Sequence, residues 1–129
     1  MTHRGFGPAP IPDPGDAAAV LIEPRDGFAD PPGLAVRADV LAAVGGPARV
    51  RAGALAELAA RIEAAGHVVE RRAVPVAPRR PTPRRLRDEG SARLWLFRRD
   101  PARFPLPRPR ELGWRLPFVA LGALRANGC

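Results

Sequence analysis

The residues best suited to chemistry in this chain are arginines in close pairs: Arg71-Arg72, Arg79-Arg80 and Arg84-Arg85, with Arg87 and Arg93 beyond them. Each guanidinium is a planar fork of donors that fits a phosphate oxygen pair, and paired forks on an extended segment follow a nucleic-acid backbone without needing a fixed sequence. These eight arginines are therefore the expected nucleic-acid-binding residues. All 21 basic residues of the 129 are arginine, while lysine, tyrosine and glutamine are absent. Such usage is what a GC-rich coding sequence produces, so arginine content alone is no argument for phosphate binding. Distribution is the stronger signal, because codon bias acts on both halves alike. Residues 1 to 66 hold six arginines and eight acids, residues 67 to 129 hold fifteen and five, and the halves carry −2 and +10 of the net +8. A polyanion partner belongs to the basic half.

Other chemistry is poorly supplied. Catalysis needs a nucleophile, or an acid and a base brought together, yet the inventory is His3, His67, Ser91 and Cys129. No Gly-rich phosphate loop, no HExxH and no paired-cysteine spacing occurs, so the expectation is no enzyme, no catalytic residue, no metal site and no cofactor. Asp13, Asp16, Asp26 and Asp30 fall in loop-like sequence, with nothing to fix a coordination geometry. A single cysteine forms no internal disulfide. The longest uncharged apolar run near the C-terminus, residues 116 to 124, is far short of the roughly 20 residues that span a bilayer, so no membrane is expected and a cytoplasmic location is.

The elements that would position the arginines are read from periodicity and from 17 prolines and 13 glycines. Pro8, Pro10, Pro12 and Pro14 predict an extended arm over residues 1 to 16 that enters neither helix nor sheet. Ala18 to Ile22 suits one buried strand. Val36, Val40, Leu41 and Val44, stopped by Gly45 and Gly46, predict a helix from about Leu34 to Val44. A second helix opens at Pro47, contains Gly53, presents Val50, Leu55, Leu58, Ala59, Ile62 and Ala65 on one face, pairs Glu57 with Arg61 and ends at Gly66. An edge strand follows over His67 to Val76, and then a basic loop over residues 77 to 90. Ala92 to Arg98 alternates in a way that predicts another strand, with Arg93, Trp95, Phe97 and Arg99 on one side and Leu94, Leu96 and Arg98 on the other. Trp95 and Phe97 suit either a core or a base-stacking platform. Residues 100 to 110 read as an extended connector, and Trp114 to Leu124 fits a strand or a helix opened by Pro117.

The run Leu58 to Arg72, a helix closing on Ala-Gly and passing into a strand, resembles the recognition helix and first wing strand of a winged helix-turn-helix module. The resemblance covers Leu58 to Arg98, and the segment before it, Pro47 to Gly53, is short for the helix and turn that the family places there. It implies a small single-domain α+β fold with two helices and a basic β-hairpin, flanked by Pro-rich arms, in which a helix enters the major groove and the hairpin touches the backbone. The same helix-to-strand run is also the second half of a βαβ unit whose first strand is Ala18 to Ile22, which implies an ordinary α/β layering. The expected organisation is an arm and short strand in residues 1–33, an α+β core with the hairpin in 34–99, and a connector with an apolar segment in 100–129. Two functions fit: a basic accessory protein binding nucleic acid through the hairpin loop, or a structural or adaptor subunit of a nucleoprotein-like or virion-like assembly whose arms reach protein neighbours.

Overall fold

The computed structural model describes residues 2–125, 127 and 128, so Cys129 lies outside the described residues. The chain forms two compact units, Met1–Ala48 with Ala54–Pro78, and Arg49–Gly53 with Arg79–Cys129. The class is α+β, as expected; the two-helix count is not, since five α-helices occur among the described residues.

The first unit is a four-stranded mixed sheet with two helices. Its elements are β1 (His3–Phe6), β2 (Ala19–Ile22), β3 (Gly33–Arg37), α1 (Ala38–Val44), α2 (Ala54–Ala64) and β4 (Val69–Arg72), and the strand order is β1-β3-β2-β4. β1 and β2 flank β3 antiparallel, while β4 joins β2 parallel, opposing Ala19 to Val69 and Ile22 to Arg72. Ala19, Leu21, Leu34 and Val36 share one core with Val40 of α1 and Leu58, Ala59 and Ile62 of α2. Val20, Ile22 and Ala35, which alternate with them, are buried as well. A strand buried on both faces has no polar position, which is why β2 is uninterrupted Ala-Val-Leu-Ile.

Three sequence expectations change here. The arm is not free of the sheet: His3–Phe6 is an edge strand, because the prolines begin only at residue 8 and leave its donors intact. The chain then turns at Gly7, φ +87°, where a Cβ would stand 2.5 Å from the Pro32 carbonyl oxygen, and doubles back with the Ala9 N–H donating to that oxygen at 3.1 Å. The helix expected from Leu34 starts only at Ala38, since Leu34 and Val36 face the core at the strand period of two. The helix expected from Pro47 starts at Ala54, because Gly53 has φ +94°, outside helical space. Its first turn is capped from a distance, the Ala56 N–H donating to Asp30 Oδ1 at 3.1 Å.

Other local expectations are met. Gly45, φ +84°, stops α1, and its N–H donates to the Leu41 carbonyl at 2.9 Å. Gly66, φ +95°, closes α2 in a Schellman arrangement, its N–H donating to Glu63 and that of His67 to Ile62. β4 is an edge strand. Its parallel pairing with β2 is that of the βαβ reading.

Glu57 is 7% exposed, and Arg61, one turn on, meets it at 2.6 Å while donating to the Val44 and Gly46 carbonyls at 2.7 Å each. One guanidinium thus neutralises a buried carboxylate and holds the turn after α1. Arg61→Ala removes this 2.6 Å ion pair from a buried carboxylate together with both bonds to the turn, and is expected to cost about 3 kcal/mol, by denaturant unfolding. A loss near the few tenths typical of exposed pairs would show that Glu57 does not depend on it.

The second unit is helical. It contains α3 (Pro83–Arg99), α4 (Pro109–Leu112), a 3-10 turn (Gly113–Arg115) and α5 (Leu116–Ala123), and α3 packs on α5. The strand expected over Ala92 to Arg98 is instead the last half of α3, so the basic β-hairpin does not form. Thr82 caps this helix through Oγ1, which accepts from the Arg85 N–H at 3.2 Å, and Pro83 occupies its first turn. Buried Leu86, Glu89, Ala92 and Leu96 recur every three to four residues, and this period absorbs the short alternation of residues 93 to 99. Pro117 opens α5, deciding the ambiguous C-terminal segment for helix.

Candidate polyanion-binding surface of the second unit

Charge divides with the structure more sharply than with the halves of the sequence. The first unit holds six arginines and nine acids, −3, and the second holds fifteen arginines and four acids, +11. The eight sequence-predicted arginines do not form one group. Arg71 and Arg72 belong to β4 of the first unit and are engaged with acids, Arg71 with Glu63 at 3.3 Å and Arg72 with Glu70 at 2.9 Å. Arg72 also donates to the Asp13 carbonyl at 2.9 Å. Arg93 turns inward on α3 and pairs at 2.8 Å with buried Glu89, one turn back.

Arg79, Arg80, Arg84, Arg85 and Arg87 do come together, around the start of α3. Arg85 donates to the Arg80 carbonyl at 3.2 Å, which folds the segment before the helix against its first turn. Among the described residues, Arg80, Arg84, Arg85 and Arg87 form no ion pair, and Arg87 Nε is buried with no hydrogen-bond partner. The first turn of α3 contains no acid. Cations there oppose the helix dipole, each by about 0.3–1 kcal/mol, and the open N–H groups of that turn also present positive charge. An anion seated at this end relieves both terms, so the local electrostatics that disfavour the isolated helix favour an anionic ligand.

Two of the remaining polar side chains, His3 and Ser91, are engaged internally. His3 Nε2 lies 2.6 Å from the Ala17 carbonyl oxygen. Ser91 is buried and donates to the Gly122 carbonyl. Among the described residues, no three of His, Cys, Asp or Glu are placed to hold a metal ion. No helix among them is long and apolar enough to cross a membrane.

Trp95 and Phe97 sit on the helix, half-buried, and the Arg99 guanidinium lies 4.3 Å from the Trp95 ring centre. Sequence reasoning missed Arg98 and Arg125, which line a cleft with Trp95. The available signal was helical spacing, since Ser91, Leu94, Trp95 and Arg98 share one face of a helix and fall on opposite faces of a strand. No protein-family model, no curated protein and no solved structure matches this chain.

Proposed function

We propose that this is a non-enzymatic basic accessory protein that binds nucleic acid through the second unit, with Arg79, Arg80, Arg84, Arg85 and Arg87 following the phosphate backbone. The observation that carries this reading is the division of charge, +11 in one unit against −3 in the other. Codon bias supplies arginine everywhere and does not sort it by structural unit. The role of a hairpin loop passes to the extended approach to α3 and its first turn. Counterion release along a phosphate chain then supplies the affinity without base recognition.

The test is the variant with Arg79, Arg80, Arg84 and Arg85 all replaced by alanine. Arg80, Arg84 and Arg85 are exposed and precede or open the helix, so folding is expected to be retained. Affinity for nucleic acid of every sequence should fall, and the slope of log affinity against log salt should shrink by about 0.9 for each duplex phosphate that is no longer neutralised. An unchanged slope sinks the reading.

A second reading, a structural or adaptor subunit of a larger assembly, is favoured by a specific surface. Trp114, Leu121 and Leu124 are exposed at 62%, 52% and 86%, on α5 or next to its ends in sequence. Under that reading the quadruple variant keeps its polyanion affinity, and capture of the assembly partner responds to changes on α5.

A further inference from the structure

The second unit contains a cleft of about 360 Å3 between α3 and the C-terminal segment, lined by Leu94, Trp95 and Arg98 on one side and Leu124, Arg125 and Asn127 on the other. The volume lies in the range that small-ligand sites occupy. Its lining combines an indole and two leucines with two guanidinium groups and no carboxylate. Among the described residues neither Arg98 nor Arg125 makes an ion pair or side-chain hydrogen bond. The uncharged polar groups are engaged elsewhere. Asn127 clasps the backbone of Ala52, accepting from its N–H at 3.3 Å and donating to its carbonyl at 2.7 Å, and Ser91 donates to Gly122. The cleft thus offers an apolar and aromatic surface beside two available positive charges, with few hydrogen-bonding groups left to read a ring edge.

We infer that this cleft receives one nucleotide of a single-stranded nucleic acid, the base lying against Leu94 and Trp95 and the flanking phosphates reaching Arg98 and Arg125. The inference rests on the nucleic-acid reading and narrows it to single strands, because a base enters the cleft only when it is out of the duplex stack. With the polar side chains engaged internally, the site accepts any base, since stacking needs only a π face.

The experiment uses the full chain carrying Trp114→Phe, which leaves Trp95 as its one indole. Labelled oligothymidylate, oligoadenylate and a duplex of equal length are followed by anisotropy, and Trp95 by its fluorescence. Both single strands should quench Trp95 and the duplex should not. Arg98→Ala and Arg125→Ala should each weaken single-strand binding about tenfold while changing duplex binding less than about threefold. Thymidine monophosphate should compete for the quenching, and inorganic phosphate at the same concentration should not. Oligonucleotide binding that leaves Trp95 silent and ignores both substitutions overturns the cleft assignment while the nucleic-acid reading stands. Selectivity of more than about thirtyfold between the two single strands also overturns it. Absence of binding to any of the three at low salt overturns both.

Discussion

Gly90→Ala is expected to pull α3 away from α5 and to cost the second unit about 3 kcal/mol or more. A Cβ at Gly90 would stand 1.8 Å from the Val119 carbonyl oxygen, and one at Gly122 would stand 1.8 Å from that of Arg87. The two helices therefore touch backbone to backbone at a pair of glycines, with Ser91 bonded to the Gly122 carbonyl across the same crossing. Neither obstacle is the end of a flexible side chain. Relief requires moving a whole helix, so the loss should meet or exceed the usual range for an added methyl group in a packed site. Gly122→Ala should act similarly, and the double variant should cost less than the sum, because one displacement relieves both clashes. The readout is tryptophan fluorescence during denaturant unfolding, since both tryptophans, Trp95 and Trp114, lie in this unit. Gly46→Ala is the control: nothing lies within 4 Å of its added Cβ. Equal stability of Gly90→Ala and Gly46→Ala would mean that the crossing is not close.

Leu58→Ala and Ile62→Ala should each destabilise the first unit by about 2–5 kcal/mol. Both side chains are fully buried, one turn apart on α2, against Leu21, Leu34 and Val36 of the sheet. Removing either leaves a cavity against strands that are paired on both sides and have little freedom to collapse inward. Such losses are a large share of the 5–15 kcal/mol typical of a small protein. Far-UV circular dichroism under denaturant measures the effect, and amide exchange over Ala19–Ile22 should accelerate with it. Leu121→Ala, at a half-exposed position of α5, should fall within about 0.5 kcal/mol of the parent. Losses below about 1 kcal/mol at both Leu58 and Ile62 would contradict a core at this face.

The parts of this protein legible in its sequence are those decided by neighbouring residues. The face of α2, its Glu57-Arg61 pair, its closure at Gly66 and the edge strand that follows depend on helical spacing and on a left-handed position that glycine accepts. The buried strand Ala19–Ile22 depends on an apolar run. The excess of positive charge in the C-terminal half was likewise plain, because charge needs no fold to be counted. The grouping of Arg79 to Arg87 was legible too, but not its setting at the start of a helix, although Thr82-Pro83 is a helix-opening pair.

What only the tertiary structure decided depends on partners distant in sequence. His3–Phe6 becomes a strand because β3 offers it an edge, and no local periodicity announces a four-residue edge strand containing a glycine. Residues 92 to 98 alternate like a strand, yet they are helical because Gly90 admits the α5 backbone at a distance no other residue allows. The same unit brings Arg98 and Arg125, 27 positions apart in sequence, to one cleft. Local spacing determines which residues share a face. Which face is buried, and which charges are left facing solvent, is determined by what the rest of the chain places against it.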